Sequence, residues 1–122
     1  MIHEAFERYL NRAGLLDNFT VQKHIWIENP DTRMQQYAVI QTDGGSGRFA
    51  DLGADDNVML ILVSAQYDPE PVLIRAKDIL DYVASHPLDC ELNSIYNLGG
   101  LPKPIPTEEG RFIMQLAFRC TS

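Results

Sequence analysis

Apolar residues recur along this chain in two distinct periods, and the switches between them lay out its elements. Ile2, Ala5, Phe6, Tyr9, Leu10 and Ala13 form one stripe at helical spacing. Gly14 follows as a natural stop, so the spacing predicts a helix over 2–13. His24 to Glu28 alternates, with Ile25 and Ile27 on one face and Trp26 on the other. Asn29-Pro30-Asp31 then reads as a turn. Gln36 to Thr42 alternates again, and the two segments are expected to pair as an antiparallel hairpin. Asp43-Gly44-Gly45-Ser46-Gly47 is too glycine-rich for a regular element and opens a polar loop reaching about Asn57.

Val58 to Ala65 is nearly continuous in apolar residues, the pattern of a central strand covered on both faces. Asp68-Pro69-Glu70-Pro71 reads as a helix start, with Asp68 as N-cap and Glu70 at the positive end of the dipole. Val72, Leu73, Ala76, Ile79, Leu80, Val83 and Ala84 are its core stripe, and Pro87 ends it near Ser85. Glu91 to Leu98 reads as a short, half-exposed strand. Prolines at 102, 104 and 106 stiffen the segment that follows. Phe112, Met114, Leu116, Phe118 and Cys120 then share one face of a last strand, with Arg111, Gln115 and Arg119 on the other. The expected fold is α+β, two helices packed on a mixed, mainly antiparallel sheet of about five strands. Leu60, Leu62, Ile79, Leu80, Leu116 and Phe118 are the expected core.

Composition narrows the function classes. At 122 residues one domain, 1–122, is expected, large enough for a core without metal or disulfide staples. The net charge of −7 opposes grip on phosphates, so no specific nucleic-acid binding is expected. No apolar run approaches a membrane span, and the amphipathic start does not read as a secretory signal. Cys90 and Cys120 are expected as buried free thiols.

No catalytic pattern emerges. His3, His24 and His86 have no metal-ligand spacing and read as surface or capping groups. Asp51, Asp55 and Asp56 cluster in the 43–57 loop but lack the alternation of a calcium loop. Gly44-Gly45-Ser46-Gly47-Arg48 lacks the Lys-Ser/Thr and helix of a phosphate loop. Ser46, Ser64 and Ser94 sit in no nucleophile elbow. No catalytic residue, cofactor or metal is therefore expected. Trp26 packs in the core or anchors an interface, a role in which Trp is enriched.

Taken in order, these segments resemble a known family. They are the N-terminal helix, Val39-Ile40-Gln41-Thr42-Asp43-Gly44-Gly45, and Val58-Met59-Leu60-Ile61-Leu62-Val63-Ser64. Ile74-Arg75-Ala76-Lys77-Asp78-Ile79-Leu80 and the terminal Glu109-Gly110-Arg111-Phe112 strand complete them. The chain resembles the tail terminator proteins of long-tailed bacteriophages, the minor tail protein U-like family. That resemblance implies a structural, non-enzymatic role: a hexameric ring that caps the tail tube, ends its polymerisation and presents a surface for head joining. It implies the tail tube protein and head-side connector proteins as partners, assembly in the bacterial host cytoplasm, and a place at the head-proximal end of the virion tail. The isolated protein is expected to be monomeric when dilute. Trp26, Arg48, Asp51, Asp55 and Asp56 are the candidate interface residues. Two other classes compete: a small ligand- or ion-binding module using the acidic 43–57 loop, and a small enzyme with an unrecognised site.

Overall fold

The computed structural model describes residues 2–23, 35–45, 55–88, 94–108 and 110–121. Helix α1 spans Ile2–Arg12 and buries Ala5, Phe6, Tyr9 and Leu10. It stops in a Schellman turn. Gly14 takes φ +71°, its N–H donates to the Asn11 carbonyl, and the Leu15 N–H donates to the Leu10 carbonyl. Strand β1, Phe19–Lys23, follows.

Strand β2 spans Gln36–Gly45 and β3 Asp55–Val63. Helix α2 is Glu70–Ser85, and β4 is Ser94–Leu98. The two-residue β5, Ile105–Pro106, precedes β6, Phe112–Thr121. The strand order is β1-β2-β3-β6-β4, with β5 also on β6. Only β1 and β2 run parallel; the remaining pairs are antiparallel. The fold is thus the expected α+β arrangement, with a sixth strand in β5 that sequence alternation is too short to reveal.

Both helices pack on one face of this sheet. Phe6, Tyr9 and Leu10 from α1 and Val72, Ala76, Ile79 and Val83 from α2 share a core with Ala38, Ile40, Val58, Leu60, Leu62, Met114, Leu116, Phe118 and Cys120. The Phe6 and Phe118 rings lie 5.1 Å apart. Burial of this apolar surface is the main drive for the fold, at about 25 cal/mol per Å² removed from water. Cys120 is a buried free thiol, as expected; Cys90 lies outside the described residues.

Several expectations need correction. The edge of β2 that the hairpin required is occupied by Phe19–Lys23, which pairs in parallel from Phe19↔Gln36 to Lys23↔Ile40. With β3 on the other edge, β2 has no free side over those residues. Residues 24–28 themselves lie outside the described residues. β2 does not stop at Thr42: the strand includes the glycine pair and reaches Gly45 through a register shift between Thr42 and Gly45. A bulge is where glycine is tolerated in a ladder. Nor does the loop reach Asn57. Asp55 and Asp56 belong to β3, paired with Thr121 and Cys120.

At α2, Pro69 and not Asp68 holds the N-cap position, with no side-chain cap bond. The Asp68 N–H instead closes a turn onto the Ala65 carbonyl. Ala84 is exposed and Leu80 only half-buried, because the helix turns its Val72–Ala76–Ile79–Val83 stripe most squarely to the sheet. The two faces of β3 also differ. Val58, Leu60 and Leu62 are sealed beneath the helices; on the opposite face Val63 is also buried, with its β2 neighbours Tyr37 and Val39, whereas Met59 and Ile61 are half-buried.

Candidate functional site

Among the described residues, α1 and α2 cover one sheet face, and part of the other face is exposed. On the sheet face away from the helices, cross-strand register aligns Ile61 with Gln115, Met59 with Ala117, and Ala117 with Leu98. Tyr96 and Leu98 are exposed there, Gln115 is exposed, and Met59, Ile61, Ile113 and Ala117 are half-buried. The small Ala117 side chain leaves a dimple of about 110 Å³ bordered by Met59, Leu98 and Asn57.

A second surface lies on the flank of α2. Asp68, Glu70, Pro71, Ile74, Arg75 and Asp78 line an open groove of about 400 Å³. Ile74 is 55% exposed within it, although its neighbours in sequence suggest a core segment. Helical spacing explains this: Ile74 falls on the same face as Glu70, Lys77, Asp78 and Asp81, opposite the buried stripe. The Arg75 guanidinium donates to the Leu15 carbonyl (2.6 Å) and the Asp17 carbonyl (3.0 Å), and lies over the Phe19 ring.

A third exposed set projects from the segment between β4 and β5. Leu101, Lys103 and Ile105 are exposed while Pro102 and Pro104 are half-buried. Alternation through an extended, proline-restrained backbone points the first three outward.

Of the residues singled out from sequence, Trp26, Arg48 and Asp51 lie outside the described residues, as do His24 and Ser46. Asp55 and Asp56 are placed by backbone pairing at the start of β3. His86 caps α2: its N–H donates to the Tyr82 carbonyl, its ring stacks on Tyr82 at 4.2 Å, and its carbonyl accepts from the Tyr9 hydroxyl at 2.6 Å. It thereby ties the end of α2 to α1. Ser64 is a structural hydroxyl. Its Oγ accepts from the Phe112 N–H and donates to the Ala65 carbonyl, joining the end of β3 to the start of β6.

Arg111 was expected on the polar face of the last strand, yet it is 1% exposed. It donates to the carbonyls of Gln35 and Ser64 and lies over the Tyr37 ring. A planar guanidinium with fixed donors suits such a carbonyl-satisfying post. Among the described residues, no group of three His, Cys, Asp or Glu side chains is placed to hold a metal ion. No described helix is long and apolar enough to cross a membrane.

The sequence itself conforms to a known family. The family model described as phage tail termination protein matches residues 1–122. The chain belongs to this family. Its members are tail proteins, and the role that follows for this chain is tail completion. No curated protein matches it. The readable trace of the α2 groove was Ile74, an apolar residue out of phase with its helix's buried stripe.

Proposed function

We propose that this tail termination protein works as one domain that closes into a hexameric ring on the finished tail tube. The ring ends tube polymerisation and offers the surface to which the head side joins. Its partners are further copies of itself, the tail tube protein and head-side connector proteins. It assembles in the host cytoplasm, ends at the head-proximal end of the virion tail, and needs no catalytic step.

The observation that carries this reading is the family match across residues 1–122. The sheet face away from α1 and α2 supports it, since its exposed part around Tyr96, Leu98 and Gln115 offers a subunit area to share. Trp26, Arg48, Asp51, Asp55 and Asp56 are proposed to take part in subunit or tube contacts. The net charge of −7 suits a ring through which DNA passes without being held.

The test is complementation. A phage lacking this gene is expected to make tails of uncontrolled length that fail to join heads, and supplying the protein restores both. Normal tails and full infectivity without the protein would reject the reading.

A further inference from the structure

Resting on the ring reading, we infer that the 101–105 segment of one copy seats in the α2 groove of the next. Three observations converge on this occupant. The groove is lined by apolar Pro71 and the exposed Ile74 together with Asp68, Glu70 and Asp78. Its one lining cation, Arg75, is held by the Leu15 and Asp17 carbonyls. Three carboxylates against one guanidinium leave the lining negative. It therefore calls for a segment that presents apolar side chains around a cation.

The chain carries such a segment. Leu101 is 52% exposed and Ile105 49% exposed, and they flank the exposed Lys103. The intervening Pro102 and Pro104 are half-buried toward their own domain. Their fixed φ keeps the segment extended before contact, so little backbone freedom is lost on docking.

The two surfaces are distinct, which suits a ring. Arg75 turns one flank of the groove toward Leu15, Asp17 and Phe19 at the start of β1, while Asp68 at its other end follows Tyr67, whose N–H donates to the Gly110 carbonyl beside β6. The 101–105 segment joins β4 to β5, both on the β6 edge at the other end of the strand order. A contact that joins one of these surfaces on each copy to the other surface on the next is heterologous, and it closes into a ring when the rotation fits.

The experiment uses the full chain with Lys103→Glu, with Asp68→Lys/Asp78→Lys, and with all three together. Assembly is read by sedimentation across a concentration series and by imaging rings on tail tube ends. Thermal melting checks that these exposed changes leave folding intact. Each reversal is expected to raise the half-assembly concentration by roughly tenfold, since like charges then meet at every contact of the ring. The combined variant, with charges exchanged, is expected to recover most of that loss.

Rings that form equally well with Lys103→Glu would overturn the inference and leave the ring reading standing. Loss with the groove variant alone, and none with Lys103→Glu, would assign the groove to a basic segment of another tail protein and also overturn it. Wild-type protein that forms no ring in solution or on tube ends would bring down the ring reading, and this inference with it.

Discussion

Gly110 gives the sharpest test of the packing around the start of β6. It sits at φ +85°, in the region that side-chain-bearing residues avoid. A Cβ built there would lie 2.4 Å from Cε1 and 2.8 Å from Cδ1 of the Tyr67 ring. The approach is enforced by the backbone, because the Tyr67 N–H donates to the Gly110 carbonyl at 2.8 Å. Gly110→Ala therefore meets two separable costs. The left-handed backbone costs about 1–2 kcal/mol for any L-residue. Displacing the ring adds about 1 kcal/mol, held down because Tyr67 is 78% exposed and can swing outward at the expense of its rotamer. The sum, about 2–3 kcal/mol, corresponds to a fall in Tm of roughly 6–15 °C for a domain of this size. Urea denaturation should show a lower midpoint with an unchanged slope, the mark of a stability change alone. The double variant Gly110→Ala/Tyr67→Ala isolates the ring. It should lose less than the sum of the single variants, by about 1 kcal/mol of coupling. A Gly110→Ala loss within 0.5 kcal/mol, about the scale of ordinary surface changes, would show that the backbone there is not constrained as described. Strict additivity would clear the Tyr67 ring.

Leu62→Ala should cost about 2–5 kcal/mol, the range for a fully buried leucine, whereas Leu80→Ala should cost less because Leu80 is only half-buried. Equal losses in chemical denaturation would mean that the α2 stripe is wrongly oriented. Arg111→Met should destabilise by about 3 kcal/mol or more, since it leaves the Ser64 and Gln35 carbonyls without these donors. A variant as stable as the parent would show that the guanidinium is not needed there.

The secondary structure was largely legible because each long element buries one face, and burial writes its period into the chain. Helix α1, the Val72–Ala76–Ile79–Val83 stripe and the alternate residues of β6 could be read this way. So could the central place of β3, since a strand beneath two helices has little room for polar residues. The glycines of β2 were misread because composition cannot distinguish a bulge from a loop; only the partner strand makes that difference. β1 was missed for a related reason. Phe19-Thr20-Val21-Gln22-Lys23 is a short alternation, and its strand identity comes from lying parallel beside β2.

By itself the sequence determined the α+β class, the face each long element turns inward, the acidic balance and the likeness to tail terminators. The first three depend on local periodicity or on summed composition, and the likeness on particular segments in a particular order. Only the tertiary structure decided the neighbours. It set β1 parallel against β2, sank Arg111 onto two carbonyls, left Ile74 exposed in an acidic groove, and put Leu101, Lys103 and Ile105 at the β4–β5 edge. Each of these depends on residues far apart in the chain meeting in space. Local propensity carries no record of such meetings, because their energy exists only once the sheet has closed.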